Sequence, residues 1–114
     1  MLTLSANTRI FLCKEPVRMH KSFEGLSAAV EQHFPGELFS GSLFVFLSKD
    51  RSRMKILLWD RDGFAIWYKR LEKGSFARRK HHTLDRREFL MLLEGIEPKK
   101  IRSRFSLKTG DFSL

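Results

Sequence analysis

Met54-Lys55-Ile56-Leu57-Leu58-Trp59-Asp60-Arg61-Asp62-Gly63-Phe64-Ala65-Ile66-Trp67-Tyr68-Lys69-Arg70-Leu71 is the stretch that decides the fold class. Its two halves, residues 54–59 and 64–71, are rich in branched and aromatic side chains, which suit a pleated, half-buried surface. Between them Asp60-Arg61-Asp62-Gly63 supplies turn chemistry, with Gly63 able to take the positive φ of a tight hairpin. Just upstream, residues 42–48 (Ser-Leu-Phe-Val-Phe-Leu-Ser) form a third run, apolar on both faces like a covered central strand. The three together predict an antiparallel meander.

Working outward, residues 9–13 (Arg-Ile-Phe-Leu-Cys) read as a short first strand closed by Glu15-Pro16 and expected at the edge of the sheet. Phe23, Leu26, Val30 and Phe34 recur at helical spacing, which predicts a first helix ending before Pro35-Gly36, with the Ser22 hydroxyl as its N-cap. Beyond Gly74 the basic residues 78–82 look irregular. A second helix then starts at Asp85, whose capping-box partner is Glu88 and whose hydrophobic staple is Leu84 with Phe89. Phe89, Leu92, Leu93 and Ile96 make its apolar side, and Gly95 stops it near Glu94. The expected architecture is therefore α+β, with helix one packed on the sheet and helix two closing the end. It forms one domain over residues 1–98, followed by a basic tail over 99–114.

At 114 residues the chain suits a single domain, and 42% apolar residues with 11 Phe suffice for a core. A lone cysteine, Cys13, excludes a disulfide within the chain and a Cys-based zinc site, and points to a reducing cytoplasm. No apolar run approaches the roughly 20 residues that span a bilayer. Residues 1–6 lack the basic n-region of a secretory signal, so neither a membrane span nor a signal is expected.

The net charge of +9 is unevenly placed. Residues 49–80 carry eleven basic and four acidic side chains, residues 99–114 carry five and one, and residues 1–48 are balanced at four each. Clustered Lys and Arg neutralise phosphates and release condensed counterions, which makes a nucleic acid the expected partner, against the plainer reading of a solvated surface. A three-residue loop Arg61-Asp62-Gly63 would set Trp59 opposite Ala65, Leu57 opposite Trp67 and Lys55 opposite Lys69. Lys55, Trp59, Trp67 and Lys69 would then share one face, combining base-stacking aromatics with cations as single-strand binders do. The competing reading buries both Trp residues under a helix or in a protein interface.

Catalytic candidates are few. His20, His33, His81 and His82 show no HExxH spacing, and Asp50, Asp60, Asp62 and Glu72 read more simply as turn residues than as the paired carboxylates of a metal nuclease. There is no phosphate loop and no nucleophile elbow, and the meander between the helices disfavours a helix-turn-helix. One enzyme alternative is a metal-independent ribonuclease resembling bacterial messenger-RNA-cleaving toxins. His81 or His82 would serve as acid or base, and Arg78, Arg79 and Lys80 would hold the phosphate.

Five blocks carry a closer resemblance. They are Pro16-Val17-Arg18-Met19-His20-Lys21-Ser22-Phe23-Glu24-Gly25-Leu26, Phe39-Ser40-Gly41-Ser42-Leu43-Phe44-Val45-Phe46, and Lys55-Ile56-Leu57-Leu58-Trp59-Asp60-Arg61-Asp62-Gly63-Phe64. Lys69-Arg70-Leu71-Glu72-Lys73-Gly74-Ser75-Phe76 and Leu92-Leu93-Glu94-Gly95-Ile96 complete the set. In order and spacing, over residues 9–97, they resemble the TnpB (Orf2) accessory-protein family of IS66 bacterial insertion sequences. That resemblance implies a role in transposition beside a separate transposase, with no catalytic centre and no cofactor in this chain. The resulting expectation is a cytoplasmic, non-catalytic accessory that binds DNA and contacts the transposase, with no membrane and no small-molecule substrate. The residues expected at DNA are Arg51, Arg53, Lys55, Trp59, Trp67, Lys69, Arg70, Arg78, Arg79 and Lys80. A pure protein-interaction subunit, with Trp59 and Trp67 in the interface, is the second alternative beside the ribonuclease.

Overall fold

The computed structural model describes residues 4–95, so Ile96, Pro98 and the basic tail expected at 99–114 lie outside the described residues. Seven elements follow in chain order: β1 (Ile10–Leu12), α1 (Phe23–His33), β2 (Leu43–Leu47), β3 (Arg53–Asp60), β4 (Gly63–Arg70), β5 (Thr83–Leu84) and α2 (Arg86–Leu93). The strands form one mixed sheet in the order β4-β3-β2-β1-β5. The meander β2-β3-β4 is antiparallel as expected. On its far side β1 runs parallel to β2, with Ile10 opposite Leu43 and Leu12 opposite Val45, and only the two-residue β5 lies outside β1. A parallel neighbour requires a crossover, and α1 supplies it, so β1-α1-β2 is a βαβ unit attached to an antiparallel meander.

Period-2 alternation sends side chains to two separate cores. Ile10, Leu12, Leu43, Val45, Met54 and Ile56 point to one face, where Phe76, Leu84, Phe89 and Leu92 cover them. Phe11, Phe44, Phe46 and Leu57 point to the other, where Leu26, Val30 and Phe34 of the α1 segment cover them. Helix two therefore roofs the second face and does not merely close an end. A short amphipathic helix with Phe89 and Leu92 wholly buried is what the apolar half of β2 and β3 needs on that side. Its capping box forms as read, with the Glu88 N–H donating to Asp85 Oδ1 at 2.8 Å and the Asp85 N–H to Glu88 Oε1 at 2.9 Å. Ser22 occupies the N-cap position of α1, but its hydroxyl makes no capping bond, which corrects the expectation for that residue.

The β3–β4 register differs from the three-residue loop. Asp60 pairs with Gly63, Trp59 with Phe64, Leu57 with Ile66, Ile56 with Trp67 and Lys55 with Tyr68. The connection is a two-residue turn in which Arg61, not Gly63, takes the positive φ, at 59°. The one-residue change flips β4 relative to β3. Trp67 consequently joins the α2-side core beside Ile56, while Trp59 faces the α1 side.

Candidate nucleic-acid interface

β1 and β2 both end at the same side of the sheet, because they are parallel, and β3 begins there. Outside the carboxyl ends of parallel strands the chain must diverge, and such divergence leaves crevices that ligands occupy. Here the Cys13 N–H still donates to the Val45 carbonyl at 2.9 Å and the Val17 N–H to Leu47 at 3.0 Å, so residues 13–17 run alongside the end of β2. Residues 48–52 turn back into β3. That turn is organised by Asp50, whose Oδ1 accepts from the Ser52 N–H at 3.0 Å, the Ser52 hydroxyl at 2.8 Å and the Ser48 hydroxyl at 2.9 Å. Led by the Ser52 N–H, these bonds hold the exposed Asp50 carboxyl down at about 2. Arg51 sits in the turn at φ 59°, a left-handed conformation that a side chain disfavours.

The third wall is the segment following β4. Phe76 is fully buried and Ala77 nearly so, which plugs the segment into the α2-side core. Arg51 grips it twice, accepting from the Phe76 N–H through its carbonyl at 2.6 Å and donating from Nε to the Phe76 carbonyl at 2.9 Å. At the other end the Leu12 N–H donates to the His82 carbonyl at 2.8 Å, and Lys14 Nζ donates to the Lys80 carbonyl at 2.5 Å. The basic residues 78–80 are thus suspended between two anchors and not left as a free loop.

These walls enclose a cleft of about 410 Å³. Lys14, Lys49, Arg51, Arg78 and Arg79 line it together with an apolar side of Leu12, Pro16 and Leu47, and among the described residues no carboxylate does. An adjoining hollow shares Ser48 and Lys49 and adds Arg18 and Arg53, with Asp50 its one acid. Arg79 is the unusual member. Its Nε and Nη2 are out of contact with solvent and have no hydrogen-bond partner among the described residues. Buried guanidinium donors without an acceptor carry a desolvation penalty that an incoming anion would relieve. Cys13 also lines the cleft, and burial pushes its thiol up from the ordinary range, so it is neutral near pH 7.

Of the residues expected at DNA, the structure brings Arg51, Arg53, Arg78 and Arg79 around these two hollows, with Lys80 exposed on the same segment. It does not bring the others there. Lys55 is buried at 9% exposure and donates through Nζ to the Met19 and Lys21 carbonyls at 2.6 and 2.8 Å, holding the approach to α1 against the sheet. Lys69 Nζ donates to the Leu93 carbonyl at 2.6 Å, tying β4 to the C-terminal turn of α2. Arg70 pairs with Glu72 at 3.1 Å. The face expected to join Lys55, Trp59, Trp67 and Lys69 does not form, since the register places Trp59 and Trp67 on opposite sides of the sheet. Trp59 instead packs edge-on to Phe39 and Phe64, each with ring centroids 5.0 Å away. Sequence reasoning missed Lys14, Arg18 and Lys49. The signal that could have found them was the β1-α1-β2 unit, because parallel pairing brings the residues after Leu12 beside those after Leu47.

His81 and His82 are exposed, and His82 lies against Phe34 and lines a separate hollow with His33 and Glu15, not the arginine cleft. Among the described residues no group of three His, Cys, Asp or Glu could hold a metal ion, and no helix is long and apolar enough to cross a membrane.

In this small α+β domain the cations that outnumber their acids among the described residues gather at one end of a mixed sheet. The chain belongs to the family described as IS66 Orf2 like protein, whose match spans residues 8–103, which makes it an insertion-sequence accessory protein. Among its relatives are two proteins of Sinorhizobium fredii (strain NBRC 101917 / NGR234). One, "Uncharacterized protein y4jC", is 26% identical over 108 residues, covering 91% of this chain and 92% of the relative. The other, "Uncharacterized protein y4hO", is 29% identical over 77 residues, covering 68% and 67%. No solved structure matches the chain.

Proposed function

We propose that this accessory protein acts in transposition by binding the DNA of its element, without catalysing strand chemistry itself. The observation that carries the reading is the continuous cationic surface built from Lys14, Arg18, Lys49, Arg51, Arg53, Arg78 and Arg79, with Asp50 the one acid among the described lining residues. Asp50 already accepts three hydrogen bonds within its own turn, so the surface keeps cations for external phosphates. Binding driven by such a surface weakens steeply with salt, because each neutralised phosphate releases condensed counterion. The test is a salt titration of DNA affinity. A log–log slope of about −3 or steeper is expected for four or more phosphate contacts. A flat dependence would sink the reading.

A second reading, contact with the transposase, is favoured by a different observation. Phe39, 62% exposed, packs against Trp59 and Phe64 at the hairpin end, forming an aromatic patch of the kind that protein interfaces bury. Retention of the transposase on immobilised wild type, lost on Trp59→Ala with DNA affinity intact, is the expected result. Equal retention by both forms would remove it.

A further inference from the structure

General DNA binding needs exposed cations, and it leaves the buried edge of Arg79 unexplained. We propose that the cleft between the ends of β1 and β2 and residues 76–80 holds one phosphorylated nucleotide at an unpaired strand end, its phosphate gripped by Arg79 and Arg51. This rests on the DNA-binding reading and specifies which part of the DNA enters.

Four observations carry it. First, Arg79 lines the cleft and its Nε and Nη2 have no acceptor among the described residues, so an outward turn of the side chain would present to the cleft a planar fork matched to phosphate oxygens. Second, the hydrogen bond that the Arg51 side chain makes among the described residues uses Nε, which leaves its terminal nitrogens for a ligand. The disfavoured backbone of Arg51 is held by its bonds to Ser48 and Phe76, so this side chain is fixed at the cleft and not merely tethered near it. Third, the shape is wrong for a continuous duplex. A duplex presents its phosphates on a convex cylinder and reaches the exposed rim cations Lys14, Lys49 and Arg78, whereas the cleft itself, about 410 Å³, has room for a single unit that can leave the stack. Fourth, Leu12, Pro16 and Leu47 line the cleft together with the cations, so a bound unit meets apolar as well as charged surface there. A lining that mixes cations with apolar side chains fits a nucleotide better than an inorganic anion.

The experiment measures binding of the full chain, by fluorescence anisotropy, to one oligonucleotide sequence in four forms. These are single-stranded with a terminal phosphate at the 5′ end, single-stranded with it at the 3′ end, single-stranded with hydroxyl ends, and a blunt duplex with hydroxyl ends. A deoxynucleoside monophosphate serves as competitor. At least one phosphorylated single strand should bind tenfold or more tighter than the hydroxyl form. Arg79→Gln should abolish that preference, while Lys73→Gln, an exposed cation outside the cleft, should keep it. Because Arg79 Nε and Nη2 have no partner among the described residues, Arg79→Gln should melt at the wild-type temperature or above. The wild-type comparison of ends needs no variant, so a misfolded Arg79→Gln would still leave the test decisive. Salt-dependent DNA binding with no preference among ends overturns the strand-end site alone. A preference that survives Arg79→Gln overturns it too, as does a phosphate-end preference that excess deoxynucleoside monophosphate does not remove. Absence of binding to every DNA form overturns the DNA-binding reading on which the site rests.

Discussion

Two turns flank β3, and each places an arginine at φ 59°, yet they are opposite in kind. At the hairpin tip Arg61 is 94% exposed in its side chain and lies 4.0 Å from Asp60, with Asp62 next to it, so two acids there more than offset the one cation. At the other end, about 25 Å away for eight residues at roughly 3.3 Å each, Arg51 is bonded to Phe76 and stands among cations that outnumber their acids. The same strained conformation is solvent-facing in one turn and fixed into a cleft in the other. Charge counted along the chain treats residues 49–80 as one block, whereas the sheet divides that block between two ends and an interior. On the proposed reading, DNA contact belongs to the end where cations outnumber acids among the described residues, and the aromatic tip is left for protein contact.

The largest expected effect tests whether charge in the interior is structural. Lys55→Met removes the donor that serves the Met19 and Lys21 carbonyls from a buried position. Two acceptors left without a charged donor should cost about 2–3 kcal/mol of stability, read by urea denaturation, with DNA affinity unchanged within about twofold once folded protein is counted. An affinity loss well beyond the change in folded fraction would return Lys55 to the binding surface.

Next in size is the contrast between the two ends. Arg53→Glu combined with Arg78→Glu should lower DNA affinity by more than tenfold, equivalent to about 1.4 kcal/mol, and flatten the salt dependence. Arg61→Glu, at the tip, should change affinity less than about twofold. If the tip variant loses as much as the double variant, binding follows overall charge and the division between ends has no functional content.

Much of this contrast was legible in the residues, but unevenly. Asp85 and Glu88 announced the capping box of α2, and the apolar run at 43–47 announced a strand covered on both faces, because both signals are local. Register was not legible: Gly63 invited a bulged three-residue loop, and only the cores on both faces decide that Trp67 must sit beside Ile56. The cleft was half legible. Arg51, Arg53, Arg78 and Arg79 stood out in the basic block 49–80, which also held Lys49, while Lys14 and Arg18 depend on β1 pairing parallel with β2, a contact across some thirty residues of chain. β5, two residues long, left no pattern to read, although it anchors residues 78–82.

The two strained arginines allow a smaller test with opposite signs. Glycine adopts positive φ without steric cost, and a Cβ-bearing residue there gives up roughly 0.5–1 kcal/mol. At the tip this relief should dominate, so Arg61→Gly should stabilise the protein by up to about 1 kcal/mol. At the cleft the relief is offset by loss of the Nε bond to the Phe76 carbonyl, worth about 1.5 kcal/mol or more for a charged donor, so Arg51→Gly should be destabilising. Thermal melts of both variants decide it. Two stabilising variants would mean that Arg51 is not held by Phe76, and residues 76–80 would lose their anchor.

The smallest expected effect concerns the one carboxylate among the cleft's neighbours. Asp50 has a folded pKa of about 2 against an ordinary 3.8, because the Ser52 N–H and then the Ser52 and Ser48 hydroxyls favour its charged form. A depressed folded value means the charged form is bound more tightly in the native state, so its stabilisation is complete above roughly pH 4 and is lost as the pH falls through about 2. Asp50→Asn should therefore flatten the stability curve in that acid window and leave it unchanged in shape near neutrality. The turn that presents Arg51 should loosen in the same window, so phosphate-end binding should weaken there before the tip's aromatic packing changes, read by Trp59 fluorescence in a Trp67→Phe background. Simultaneous loss of both signals would show that the two ends of β3 unfold as one unit, and that the cleft has no acid-sensitive turn of its own.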